Sequence, residues 1–474
     1  MANPEAPRAP GIASPGNPLV TRRRVLGGLA GVAGLAAAPS LLAACSTTGS
    51  SSAPAASTGG GGASASAAAP ASATAGGSAG ASLSGEVTLG SNYSDPVPKK
   101  AMQAAADSFT AKTGITVKIN TVDHGTFQNQ ISSYLQGTPD DVWTWFSGFR
   151  MRFFAAQGLA SDISDVWAKL APHYTDAFKV GSTGDDGKQY FVPIYLYPWA
   201  VFYRKSLFQE KGYEIPTTFD QMKTLATKIQ GDGLVPFAFG DKDGWPAMGT
   251  FDILNLRLNG YDFHVNLMAG KEKWTDPKVK TVFDTFKEIL PFHQQGAAGR
   301  IWQDASTTLL QKKAAMYFHG MFTSQQFQQA GQADLDDLDF FPYPAFGTQY
   351  DAEKALDAPI DGFALSKAPK NVDAAKAFVE HLGQPETQVA WVTADVSNIA
   401  AAKDADTSKY TPLQKKAAEV IGQAQRITQF LDRDTNPNFA GPNGMQAFLL
   451  QFLQDPNQDV AALQKKIQDF WDTL

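Results

Sequence analysis

EVTLGSNYSDPVPKKAMQAAADSFTAKTGITVKINTVDHGTFQNQISSYLQGTPDDVWTWF, residues 86–146, is the stretch that decides the fold. Val87-Thr88-Leu89 reads as a short strand. From Val97 to Thr113 the chain sets Met102, Ala105 and Phe109 at helical spacing and stops at Gly114. Ile115, Val117 and Ile119 alternate with polar residues, as a strand does. Gly125 to Gln136 reads as a second helix closed by Gly137-Thr138-Pro139, and Val142 to Phe146 as a third strand. Alternating strands and helices with short connections imply a parallel sheet covered by helices. Ligands of such sheets bind beyond the carboxyl ends of the strands. That places Asn92, Asp123, His124 and Trp145 at one mouth.

Downstream the pattern repeats with more helix. Thr218 to Gln221 is a capping box opening a helix with Met222, Leu225 and Ile229 on its core face. Val235 to Phe239 reads as a strand. Asp276-Pro277 starts a helix whose stripe is Val279, Val282, Phe283, Phe286 and Leu290. Ala314 to His319 and Ile360 to Ser366 read as strands, and Asn371 to Leu382 as a helix ended by Gly383. The tail is helical: Leu413 to Ala424, Gln446 to Leu453, and Val460 to the end. The expectation is an α/β protein of two lobes, parallel-sheet units in each, a helical C-terminus and a ligand cleft at the junction. The length from residue 85 to 474 agrees, at ~100–200 residues per lobe.

The N-terminal part reads differently. Arg22-Arg23-Arg24 precedes an apolar, Gly/Ala-rich run from Val25 to Ala38, then Leu42-Ala43-Ala44-Cys45. This is expected to be a twin-arginine-type lipoprotein signal over residues 1–44, cleaved before a lipidated Cys45. The competing reading is a transmembrane helix from Val25 to Ala44, which the small residues before the chain's single cysteine disfavour. Apart from Cys45 and Leu83, residues 45–84 are Ser, Ala, Gly, Thr and Pro, with no charge between Arg24 and Glu86. Such a stretch cannot bury a core and is expected to act as a tether. One thiol makes no internal disulfide. A formal net charge of -6 at pH 7 argues against a nucleic-acid partner.

Catalytic signatures are missing from residues 85–474: there is no HExxH, no GxSxG and no phosphate loop. The six histidines show no pair at metal-ligand spacing, so no metal and no cofactor is expected. Asp432-Arg433-Asp434 is the one cluster suggestive of a glycosidase acid pair. A charged loop with internal pairing is the plainer reading. Asp334 to Asp339 reads as a solvated helix end or strand edge. Aromatic residues stand out instead. Trp143, Trp145, Tyr195, Tyr197, Trp199, Trp245 and Trp302 sit in or beside loops. Aromatic faces cover the C–H faces of sugars while polar groups read the hydroxyls. Trp167 and Trp471 lie on apolar stripes and are assigned to the core.

Several ordered stretches carry a family resemblance. PDDVWTW (139–145), YFVPIYLYPWAVFYRKSLFQEKGYEIPTTFDQM (190–222), LQKKAAMYFHGMF (310–322) and APIDGFALSKAPKNVDAAKAFVEHL (358–382) resemble the extracellular solute-binding proteins of carbohydrate ABC importers, the group that includes maltose-binding protein. The resemblance implies lobe one over 85–194 and 357–410, and lobe two over 195–356 and 411–474. It places Trp145, Trp199, Trp245, Trp302, Asp361, Gly362 and Asn398 against sugar, with Asp123, His124 and Arg433 beside them. It implies a monomer, lipid-anchored on the outer face of the membrane, that binds a sugar or oligosaccharide and passes it to permease subunits without catalysis. GDKDGWPAMGTFD (240–252) is typical of only part of the group, so no particular sugar is implied. The rival readings are a secreted glycan-active hydrolase, a binding protein for a non-sugar solute such as a polyamine or peptide, and a structural surface protein.

Overall fold

Pro96, next to the N-cap Asp95, opens the first helix, Pro96–Thr113, and Gly114 closes it in the left-handed conformation at φ 77. Its buried stripe of Val97, Ala101, Met102, Ala105 and Phe109 lies on a six-stranded sheet. These features belong to a computed structural model that describes residues 84–474. The expected signal, Cys45 and the tether up to residue 83 lie outside the described residues.

Twelve strands occur among the described residues: β1 (Glu86–Ser91), β2 (Thr116–Thr121), β3 (Val142–Phe146), β4 (Val192–Leu196), β5 (Trp199–Arg204), β6 (Val235–Phe237), β7 (Ala314–Gly320), β8 (Leu338–Phe341), β9 (Leu356–Asp357), β10 (Ile360–Leu365), β11 (Ile399–Ala400) and β12 (Ile427–Thr428). The first sheet runs β11-β4-β10-β3-β1-β2 and the second β6-β7-β5-β8. Within the two larger sheets, parallel pairing occurs in β2-β1-β3 and in β6-β7, where helical segments cross over between the strands. The strands that connect with the other sheet, β4 leading out to it and β10 returning from it, join antiparallel, with Asp361 opposite Phe146 and Ile360 opposite Leu196. Only Tyr197 and Pro198 separate β4 from β5. The chain therefore leaves one sheet and enters the next almost without a loop. A second crossing is held by β9 and β12, with Thr428 opposite Asp357.

The tail helices Met445–Gln454 and Val460–Trp471 pack on Pro246–Asn259 and Pro277–Ile289 beside the second sheet. The helix Pro412–Gln423 touches both sides: Gln414 donates to the Val392 and Asn398 carbonyls, while Lys416 pairs with Asp339 at 2.7 Å. Trp167 is core, its indole donating to the Phe191 carbonyl at 2.7 Å. Trp471 is half-buried, packed on Phe439. The acidic run at 334–339 is not simply solvated. Asp334 and Asp337 clamp the buried Arg204 at 2.7 and 2.6 Å. No helix of the described residues is long and apolar enough to cross a membrane.

Candidate functional site

The two sheets present their edges to each other. On the first, β1 ends at Ser91, so Asn92 and Tyr93 emerge at the edge. β3 ends at Phe146, and β10, running the other way, starts at the same edge with Asp361. On the second, Trp199 opens β5 opposite Gly320 at the end of β7. Trp302 opens the helix Trp302–Leu310, and Trp245 precedes the helix Pro246–Asn259. Between them lies a cavity of about 80 Å³.

One wall is aromatic. Trp199 stands edge-on to Trp245 at 6.3 Å between ring centroids and stacks on Phe430 at 4.8 Å. Trp302 meets Phe322 edge-on at 4.9 Å. His319 lies among these rings, 5.5 Å from Trp302, 4.9 Å from Trp199 and 5.7 Å from Trp245. Burial drives the His319 pKa down to about 3, so it is a neutral spacer ring. Gly249 is required by this wall, because a Cβ there would fall 2.5 Å from the Trp199 ring.

The opposite wall is polar. Arg433 donates to Asp361 at 2.6 Å and to the Tyr197 hydroxyl at 3.2 Å, with its guanidinium 3.8 Å over Phe146. Burial works against the Arg433 charge, but Asp361, Tyr197 and Asp432 outweigh it and hold the guanidinium protonated. Arg150 donates to Asp432 at 3.1 Å and to the Gln128 side-chain carbonyl at 2.9 Å. Both ion pairs are buried, a position sustained only by close geometry. Some polar atoms of the lining have no hydrogen-bond partner in the protein, among them Gln325 Oε1 and Asp432 Oδ1, the latter 3.7 Å from Arg433 Nε. Buried acceptors left this way are suited to hydroxyl donors from a ligand.

Of the ten residues expected at the site, seven line this cavity: His124, Trp199, Trp245, Trp302, Asp361, Asn398 and Arg433. Three do not. Trp145 is 1% exposed and packs on Trp143, Phe154 and Phe127. Strand alternation turns it to the helix-covered face of β3, with Arg150 4.7 Å over its ring. Gly362 lies within β10, where a Cβ would meet the Val192 carbonyl at 2.1 Å, so it serves close strand packing. Asp123 is exposed and caps the helix His124–Gln136, its Oδ1 accepting from the Thr126 amide at 3.0 Å.

The 432–434 cluster keeps a long internal pair, Arg433 Nε to Asp432 Oδ1 at 3.7 Å, but it is not a loop. It forms a short helix, Leu431–Asp434, whose Asp432 and Arg433 are buried and paired with residues beside the first sheet. Phe430 and His319 were missed. Phe430 is one of three non-glycine residues with positive φ among the described residues, at 145, which turns its ring into the cavity; no local signal in the sequence marks that turn. His319 sits in an apolar strand where its role depends on neighbours from three other segments. Among the described residues no cluster of three metal-ligating side chains occurs.

Comparison with known proteins follows the same lines. Residues 93–389 match the family described as bacterial extracellular solute-binding protein. The crystal structure of the bacterial solute receptor AcbH, described as having an exclusive preference for β-D-galactopyranose, is 47% identical. It superposes with a TM-score of 0.79 and covers 82% of this chain and 99% of its own. The alpha-glucosides-binding periplasmic protein AglE of Rhizobium meliloti is 26% identical over 77% of this chain and 82% of its own length. An ABC transporter extracellular-binding protein of Pyrococcus horikoshii is 26% identical over 69% of this chain and 74% of its own. A two-sheet cleft lined by indoles and arginine-locked carboxylates, with a family match spanning more than half the sequence, places this chain among the bacterial extracellular solute-binding proteins.

Proposed function

We propose that the protein is the receptor of an ABC importer for a neutral sugar, with a single pyranose ring of the β-D-galactopyranose type as its ligand, which it delivers to the membrane permease. The observation that carries this reading is the enclosure of the cavity. Trp199, Trp245, Trp302, Asp361 and Arg433 are all at most 8% exposed, so a bound ligand is surrounded rather than laid along an open groove. Asp361 and Asp432 of the lining are neutralised by Arg433 and by Arg150 beside it, and Asp95 is bound by Gln303, an arrangement that suits a neutral guest. The 47% identity with AcbH supports the choice of sugar.

Binding without catalysis is the accompanying reading. A glycoside hydrolase needs one carboxyl poised as an acid and a second free to attack or activate water. Here two of the three cavity aspartates, Asp361 and Asp432, are fixed to arginines at 2.6 and 3.1 Å, and the third, Asp95, accepts from Gln303 at 3.1 Å. The ligand's role is to favour the closed arrangement of the two lobes, in proportion to the extra contacts it makes there. Acylation of Cys45 would hold the protein on the outer face of the membrane, with residues 46–84 as tether and a monomer as the working unit.

Titration calorimetry with D-galactose, D-glucose, maltose, a polyamine and a short peptide tests the ligand. D-galactose should bind and the last two should not. Binding of the peptide or polyamine alone, or release of products from a galactoside, would overturn the reading. Cys45→Ser should free the protein from the membrane fraction without altering sugar binding.

A further inference from the structure

A second space adjoins the closed cavity, and the two share a wall. This neighbouring groove, of about 370 Å³, runs between the start of the helix His124–Gln136 on one side and Lys242–Gly244 with Gln446 and Leu450 on the other. Gln128 and Trp245 line both spaces. The groove is open, since Asp123, Asn129, Lys242 and Asp243 on its rim are exposed. Its lining beyond Trp245 is rich in carboxylate, amide and ammonium groups, which suit hydroxyls rather than an apolar guest.

The wall is built from fixed side chains. The His124 ring faces Trp245 across the cleft at 6.5 Å between centroids, at 62°. His124 Nε2 lies 2.6 Å from Gln128 Nε2, and Gln128 Oε1 accepts from Arg150 at 2.9 Å. Arg150 can only donate, so the Gln128 amide nitrogen must donate to His124. His124 Nε2 is therefore the acceptor and its proton sits on Nδ1. Burial, followed by the charge of Arg433, holds the His124 pKa down to about 4, in keeping with a neutral ring. Arg150 is anchored in turn on Asp432 at 3.1 Å. The chain of contacts from Asp432 to His124 leaves the imidazole little freedom to swing out of a longer ligand's path.

We propose that His124, backed by Gln128 and set against Trp245, is the residue that limits the ligand to one ring, and that the groove behind it accepts a second sugar ring once this wall is cut back. The proposal rests on the sugar-receptor reading above. Exclusion by an added obstacle, rather than by lost attraction, is a recognised route to specificity.

The test is calorimetry with D-galactose and with galactose-containing disaccharides linked at O1, O3, O4 and O6. Wild type should bind D-galactose and each disaccharide at least about 100-fold more weakly. His124→Ala should bind at least one disaccharide about 10-fold or more tighter than wild type, whatever it loses in affinity for D-galactose. Adding Trp245→Ala should remove that gain. A folded His124→Ala protein that gains no disaccharide overturns the proposal. So does a wild type that binds a disaccharide as tightly as D-galactose. His124→Ser, read in the same way, serves if the alanine variant does not fold. Absence of any sugar binding by wild type would instead remove the underlying reading, and is seen before any variant is made.

Discussion

Replacing Trp245 with alanine removes the one indole that touches both lobes' contributions to the site. Its ring meets Trp199, His319, Phe322 and Phe430 on its own side, and His124 across the cleft. A tryptophan buries ~150–250 Å² in all, and roughly a third of that faces the cavity, or ~50–80 Å². A sugar face laid on it loses a similar area, so ~100–160 Å² is removed from water. At ~25 cal/mol per Å² this is ~2.5–4 kcal/mol. The dissociation constant for D-galactose should therefore rise by about two orders of magnitude in Trp245→Ala. Calorimetry at 25 °C gives the constant, and thermal melting of the sugar-free protein gives the control. Trp245 borders open space on two sides, so its truncation should cost less than the ~3–5 kcal/mol of a fully enclosed tryptophan. A sugar-free melting curve close to wild type together with a less than about threefold change in affinity would refute the argument that this ring covers the ligand.

Arg433→Met should leave Asp361 buried without its cation and destabilise the fold by ~3–5 kcal/mol, read from urea unfolding. Gln303, next to Trp302, donates across the cleft to Asp95 at 3.1 Å. Gln303→Ala should raise the sugar off-rate about fivefold, the equivalent of one hydrogen bond worth ~1 kcal/mol, without changing sugar-free stability. Stopped-flow dissociation measures it. Asp357, at the second crossing, has its pKa raised to about 7, chiefly by burial, while Thr428 donates to it. A carboxyl raised above its unfolded value of ~3.9 stabilises the fold when protonated, fully so below that value. The contribution is lost as pH rises through 7. Asp357→Asn lacks this loss, so its stability relative to wild type should grow by ~2–3 kcal/mol between pH 5 and 8. Urea midpoints at the two pH values check it, and parallel curves would show that Asp357 does not titrate there.

Much of the architecture could be read locally. The start and stop of Pro96–Thr113, the alternation in β2, and the capping box at Thr218, with both of its hydrogen bonds present, rest on neighbours a few residues apart. Half of the site followed from similar signals. Trp245 stands in a Gly-Trp-Pro turn and Trp302 at a helix start, positions where an indole emerges at an element's end. Trp145 shows the limit of such reasoning. It sits one residue before the end of β3, and a shift of one position decides whether a side chain faces helix or cleft.

By itself, then, the sequence determined the order of strands and helices, the turns that present Trp245 and Trp302, and an overall charge unsuited to nucleic acid. Those properties depend on spacing and composition, which are local. Only the tertiary structure decided that Arg433 meets Asp361, 72 residues away, that Arg150 meets Asp432, 282 residues away, and that Phe430 and His319 complete the aromatic wall. These contacts join segments from different lobes and crossings. Their geometry is set by how two sheets face each other, and no local spacing in the chain records that.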